Sequence, residues 1–202
     1  MILKGPSPNL LTYLNLKHEP FWLDQIHGNR IIHTSDENRA ADGVWTQDKI
    51  PCAIKTADCL PVLLCDTKGT VVSAIHAGWR GLASGVIENA VHTILPHAEG
   101  EIIAWFGPAI GPQCFEVGEE VRDAFLSKGL ENLYAFKLGN KPGKYLADIY
   151  HLARIALMRV GVTKVYGGEF CTYSDPDHFY SYRRGQKSER MQILIWLNHT
   201  PI

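Results

Sequence analysis

No Cys-x-x-Cys pair occurs in this chain of 202 residues, which argues against zinc-ribbon and thioredoxin-type sites. No His-x-Glu followed by Pro-Cys-x-x-Cys occurs either, so the zinc site of the cytidine deaminases is excluded. There are nine histidines but no His-x-His. An excess of charge is also missing: 20 Lys and Arg stand against 21 Asp and Glu, a net charge of −1. That balance argues against a basic groove for nucleic acid and against an acidic tail. No apolar run approaches the roughly 18 residues of a membrane helix. The opening run Met1-Ile2-Leu3-Lys4-Gly5-Pro6 is too short and too broken by proline for a signal peptide. The expectation is therefore a cytoplasmic location without a membrane partner. The five cysteines, Cys52, Cys59, Cys65, Cys114 and Cys171, are odd in number, and no disulfide framework is expected.

What is present reads as one domain over 1–202, of α+β class, with layered mixed β-sheets flanked by helices. The apolar stretches at Val44–Thr46, Pro51–Thr56, Leu60–Cys65, Thr70–His76, Ile102–Phe106, Val162–Tyr166 and Ile193–Leu197 suit strands. Asp66-Thr67-Lys68-Gly69 has the composition of a hairpin turn. Leu82, Val86, Ile87, Ala90, Val91 and Ile94 recur at helical spacing, with Pro96 just beyond. Further helices are expected over about Gly118–Lys128, stopped by Gly129, and Asp148–Val160, stopped by Gly161. The Gly-, Lys- and Pro-rich segment from Tyr134 to Tyr145 reads as a loop.

Three signatures carry candidate chemistry: Gln25-Ile26-His27-Gly28, Lys55-Thr56-Ala57-Asp58-Cys59-Leu60-Pro61, and Ile75-His76-Ala77-Gly78-Trp79-Arg80-Gly81. A hairpin at Asp66–Gly69 places the start of one strand, at Cys59, beside the end of the next, at His76. Two chemistries fit that placement. One is zinc held by His27, Cys59 and His76 with a fourth position open. The other is a Cys59 nucleophile with His76 as base. A second imidazole within reach favours the metal. The plainer readings stand beside these. A strand cysteine is ordinarily a small buried hydrophobe, and Cys52, Cys65 and Cys171 are read that way. His76 also fits a hydrogen-bonded structural histidine. Asp58 suits a turn that bonds backbone amides, or a carboxylate that holds a histidine ligand or moves a proton. Gly107-Pro108-Ala109-Ile110-Gly111-Pro112 is not a Walker loop and reads as a rigid double turn walling a pocket. Cys114 has no assigned place. Phe179-Tyr180-Ser181-Tyr182-Arg183-Arg184 pairs aromatics with guanidinium groups: a solvated arginine pair, or an anion site.

At these residues the chain resembles the YfiH or laccase-domain family, long labelled polyphenol oxidase and later purine nucleoside phosphorylase. The likeness rests on QIHG at 25–28, TADCLPVLLCD at 56–66, HAGWRG at 76–81, GPAIGPQCFEVGEEV at 107–121, KYLADIY at 144–150, and CTY with FYSYRR near the end. It runs from about Asn15 onward, and the chain is N-terminally short relative to the family. The resemblance implies a fold shared with bacterial deamidating toxins and a metal site at His27, Cys59 and His76, usually filled by zinc. It implies phosphorolysis of adenosine, inosine, guanosine and methylthioadenosine, with adenosine deamination as a second reaction. Purine nucleosides and phosphate would then be the binding partners, and Arg80, Arg183 and Arg184 are candidate phosphate contacts. Three alternatives remain: a cysteine amidase using Cys59 and His76, with peptidoglycan editing as its setting; a copper polyphenol oxidase, disfavoured by the missing His-x-His pairs; and a non-enzymatic partner-binding module.

Overall fold

The hairpin expected around Asp66–Gly69 forms the centre of the molecule. In the computed structural model, which describes residues 2–3, 9–185 and 187–198, β6 (Leu60–Asp66) pairs antiparallel with β7 (Val72–Ala77). Around them a six-stranded sheet runs in the order β12-β8-β6-β7-β4-β3. Its other strands are β3 (Ile31–His33), β4 (Gly43–Thr46), β8 (Ile102–Phe106) and β12 (Val165–Gly167). A four-stranded sheet, in the order β1-β13-β5-β2, consists of β1 (Ile2–Leu3), β2 (Phe21–Trp22), β5 (Cys52–Thr56) and β13 (Met191–Ile195). Both sheets mix parallel and antiparallel pairs. The signal-peptide reading of Met1–Pro6 falls largely outside the described residues. Among the described residues no helix is long and apolar enough to cross a membrane.

Strand periodicity builds the layers. Along β6, Leu60, Val62 and Leu64 enter one core, whereas Leu63 enters the other. Along β7, Ile75 and Ala77 join the first core, and Val72 and Ala74 the second. The first core lies under the helices α2 (Trp79–Ala83), α3 (Val86–Ile94) and α5 (Ile149–Arg159). The second lies between the sheets, where Ile54, Met191 and Ile193 meet Val44, Leu63 and Val72. Each fully buried aliphatic side chain here contributes about 1.5–3 kcal/mol. By the same alternation His76 follows Val72 and Ala74 on the face toward the four-stranded sheet.

Several expectations are corrected. The helical pattern from Leu82 is two helices, because Gly85 adopts φ +91° and turns the chain between Ala83 and Val86. Pro96 sits in a 3-10 turn, Leu95–His97. Asp148 is the cap of α5 rather than its first residue, and its carboxylate accepts the His151 N–H at 2.9 Å. The segment read as a loop from Tyr134 contains a strand pair, β10 (Phe136–Leu138) with β11 (Lys144–Ala147), and β9 (Glu116–Gly118) completes that small sheet. Helix α4 (Glu119–Leu126) is shorter than expected because β9 takes its start. The short helix α1 (Leu10–Tyr13) packs Leu10 against Ala53 and Leu194 on the outer face of the four-stranded sheet. Cys52 is fully buried and Cys65, half-buried, packs against the core between the sheets, whereas Cys171 is half-buried and joins neither core.

Candidate metal centre

The three ligand candidates arrive from separate places. The register Leu60↔Ala77 and Pro61↔His76 sets Cys59, just before β6, beside the end of β7. His27 comes from the loop after β2. The ligand atoms of His27, Cys59 and His76 all lie within 4.8 Å of one another, and the two imidazoles meet edge to face at 4.8 Å between centroids. His27 is exposed, Cys59 half-buried and His76 buried. Gly78 completes the approach. A Cβ there would stand 3.2 Å from Cys59 Sγ, 3.2 Å from His27 Cδ2 and 3.6 Å from His76 Cε1. A side chain at this position would press on Cys59 and His27, so glycine leaves the trio room beneath the helix start at Trp79.

A carboxylate that sequence reasoning missed organises the group. Asp42 is fully buried. Its Oδ1 lies 2.8 Å from His76 Nδ1 and accepts the His27 N–H at 3.0 Å. Its Oδ2 accepts the N–H groups of Ile26, at 3.2 Å, and Gly28, at 2.6 Å. Three successive amides thus wrap one carboxylate, a backbone nest, which His27 makes possible by adopting φ +58°. Burial opposes the charge on Asp42, but the His76 bond and the amides outweigh it and hold the carboxyl below its usual range. The charged carboxylate fixes Nδ1 of His76 as the proton-bearing nitrogen and leaves Nε2 for the site. Burial also opposes the Cys59 thiolate, yet the adjoining imidazoles bring the thiol down to about 6. Burial disfavours His76 as a cation, whereas Asp42 and Cys59 raise it to about 9. A thiolate and two imidazoles are a donor set suited to zinc or copper.

The trio forms part of a cleft of about 610 Å³. Leu23, Ile110, Phe115 and Trp79 supply apolar walls, and Arg80, Arg183 and Arg190 supply cations. Arg80 stacks on Trp79 at 4.3 Å, and Arg183 bonds the Glu116 carbonyl at 3.1 Å. Arg184 does not line the cleft. Its guanidinium donates to the carbonyls of Thr172, Tyr173 and Phe179, at 2.6, 2.7 and 2.6 Å. Asp58 adopts φ +81°, and its carboxylate holds the C-terminal segment rather than a histidine. It accepts from Thr172 Oγ1 at 2.6 Å, Ser181 Oγ at 3.0 Å and the Arg183 N–H at 2.7 Å. The double turn at 107–112 is braced by Tyr150, whose hydroxyl accepts the Ala109 N–H at 2.7 Å and donates to the Phe170 carbonyl at 2.8 Å. Through Ile110 it does wall the cleft.

With this geometry in place, the likeness to known proteins is informative. A family model described as multi-copper polyphenol oxidoreductase laccase matches residues 8–198. The chain belongs to this family. Within the laccase-like family, a purine nucleoside phosphorylase of Pseudomonas aeruginosa is 50% identical over 185 residues, covering 90% of this chain and 76% of that protein. Purine nucleoside phosphorylase YfiH of Escherichia coli is 46% identical over 187 residues, covering 91% and 76%. The crystal structure of a Neisseria meningitidis protein of this group superposes with a TM-score of 0.85 at 42% identity, covering 94% of this chain and 78% of that one. The YfiH of Bacillus licheniformis superposes with a TM-score of 0.84 at 29% identity, with the same coverage. The family description and the names of the relatives point to different chemistries, oxidation of phenols and phosphorolysis of nucleosides.

Proposed function

We propose that the protein is a zinc-dependent purine nucleoside phosphorylase acting on adenosine, inosine, guanosine and methylthioadenosine, with adenosine deamination as a second activity. The observation that carries this is one His-Cys-His group on a cleft that also holds arginines and apolar walls. The relatives' names support the phosphorylase. A blue copper site adds a weak axial methionine, glutamine or backbone oxygen to His₂Cys; among the described residues no methionine lines the cleft, and the amide of its Gln25 is taken up by the Lys55 backbone at 2.7 and 2.8 Å. Zinc is therefore the ion we assign.

His27, Cys59 and His76 would hold the zinc, which supplies Lewis-acid polarisation at the position left open to the cleft. The chain's own residues do the rest. Arg80 and Arg183 hold phosphate as a bound anion, poised to attack the sugar C1′ as the purine leaves. Leu23, Ile110 and Phe115 take the flat base and exclude water from the developing oxocarbenium ion. Asp42 keeps His76 in one tautomer and orientation throughout. Arg184 and Asp58 serve as positioning residues, since both hold the segment from which Arg183 reaches the cleft. The chain of Asp42, His76 and Cys59 also has the connectivity of a cysteine-hydrolase triad, and an amidase is the second reading.

One assay separates these. Protein of known zinc content is incubated with adenosine, with and without phosphate, and adenine, inosine and hypoxanthine are resolved. Phosphate-dependent adenine together with about one zinc per chain supports the proposal. Inosine alone leaves only the deaminase. No product from zinc-loaded protein, with amide hydrolysis that survives chelation, replaces the proposal with the hydrolase.

A further inference from the structure

Two cysteines outside the trio meet behind the cleft wall. Cys114 follows the double turn, and its N–H donates to the Gly111 carbonyl at 3.0 Å. Cys171 packs on the same glycine from a distant part of the chain. A Cβ at Gly111 would lie 2.9 Å from Cys171 Cβ and 3.1 Å from its Sγ. The Gly111 N–H donates to that sulfur at 3.2 Å. An Ala109–Cys171 bridge and the Thr172 N–H on the Ala109 carbonyl, at 2.9 Å, fix the two segments together. Gly111 thus joins the two cysteines, accepting from the Cys114 N–H through its carbonyl and donating to the Cys171 sulfur through its amide. Both cysteines are free and half-buried.

Their surroundings are unequal. The Cys171 sulfur accepts the Gly111 N–H at 3.2 Å, and Ser174, whose hydroxyl donates to the Cys171 carbonyl at 3.5 Å, lies three residues on. Burial opposes its thiolate, but the neighbouring polar groups of Ser174, Gly111 and Tyr173 outweigh burial and lower the thiol from its ordinary range. Cys114 goes the other way, raised by burial, by Cys171 and by the charge of Asp58. Of the two thiols Cys171 is thus the more acidic.

We propose that Cys171 and Cys114 form a hydroperoxide-reactive pair, Cys171 being oxidised and Cys114 resolving it to an intramolecular disulfide. The Cys171 thiolate attacks one peroxide oxygen and the O–O bond breaks. This gives a sulfenic acid on Cys171 and a hydroxide or alkoxide that takes up a proton. The Cys114 sulfur then attacks the Cys171 sulfur. The S–S bond forms, the S–O bond breaks, and the Cys114 proton leaves with the hydroxide as water. The two thiols lose two electrons and the peroxide gains them. The new bond would tie the double turn carrying Ile110 to the segment carrying Arg183, two walls of the cleft. The proposal does not depend on which reaction the cleft performs.

The test uses the full chain, treated with hydrogen peroxide, blocked with iodoacetamide and mapped with trypsin without reductant. Cleavage after Arg80 and Arg122 releases Cys114, and cleavage after Lys164 and Arg183 releases Cys171. The expected product is a Cys114–Cys171 linked peptide lacking two hydrogens and reversed by dithiothreitol. In Cys114→Ser, dimedone should label Cys171. A wild-type protein that carries only sulfinate or sulfonate on Cys171 would overturn the proposal. So would a disulfide from either cysteine to another partner, or alkylation of both thiols at the level of untreated protein.

Discussion

Replacing Asp42 with asparagine tests the organisation of the metal centre with almost no change of shape. The native carboxylate uses both oxygens: Oδ1 for His76 Nδ1 and the His27 N–H, Oδ2 for the N–H groups of Ile26 and Gly28. An asparagine side chain has one acceptor oxygen and one donor NH₂. Whichever way it turns, the NH₂ confronts donors that the carboxylate satisfied. Each buried donor left unsatisfied costs about 1–3 kcal/mol, and loss of one member of a buried charged pair costs about 3–5 kcal/mol. The metal-free variant should therefore be less stable by roughly 3–5 kcal/mol, read from urea unfolding. Zinc binding should weaken separately, because His27 and His76 are both oriented by this carboxylate. An orienting partner behind a metal ligand is worth about 10- to 100-fold in affinity, measurable by competition with a chromophoric chelator. A surface change such as Asp48→Asn is the control. If Asp42→Asn keeps both the urea midpoint and the zinc affinity of the wild type, the account of Asp42 given above is wrong.

Further outcomes can be set out in the same terms. Gly78→Ala places a methyl 3.2 Å from Cys59 Sγ and His27 Cδ2. Since Gly78 has φ −64°, which any residue adopts, zinc affinity should fall while the melting temperature of metal-free protein moves little. Arg183→Gln removes a charged contact worth about 1.5–3 kcal/mol. It should raise the KM for phosphate about 10- to 100-fold while leaving adenosine binding near wild type; equal KM values would remove Arg183 from the anion site. Asp66 accepts from Thr70 N–H and Oγ1 at 2.7 Å and from the Gly100 N–H at 2.9 Å. Burial opposes its charge, but these bonds lower its carboxyl below the ordinary 3.8. A depressed folded-state value means stability present above the unfolded value and lost as pH falls through the folded one. Asp66→Asn should thus be less stable than wild type near neutrality, and the two should converge as pH falls below about 4; a gap that is constant with pH would refute the assignment.

How much of this could be read from the residues depends on how far apart in sequence the deciding groups lie. Cys59 and His76 are legible as neighbours because one tight turn fixes their strands' register. The buried strands and the apolar face of α3 follow from periodicity alone. Asp42 could not be found, because it is 34 residues from His76 in sequence and carries no local signature. Its one clue is an acidic residue just before Gly43-Val44-Trp45-Thr46, in a strand otherwise free of charge. Asp58 sits in a conspicuous motif, yet its partners Thr172, Ser181 and Arg183 lie far along the chain. β2, β3, β9 and β10 have two or three residues each, too few for alternation to register. Arg184 looks like its neighbour in sequence, but adjacent residues face different ways, and this one is consumed by three carbonyls of its own loop.

The graded exposure of the trio has a kinetic meaning. His76 is sealed between the sheets, Cys59 is half-covered at a strand end, and His27 stands in solvent on a loop. An ion held by the trio would exchange on the His27 side, where the group meets solvent. The three amides that bind the His27 loop to Asp42 would resist that exchange. A carboxylate that is no ligand would thus lengthen the stay of a bound metal.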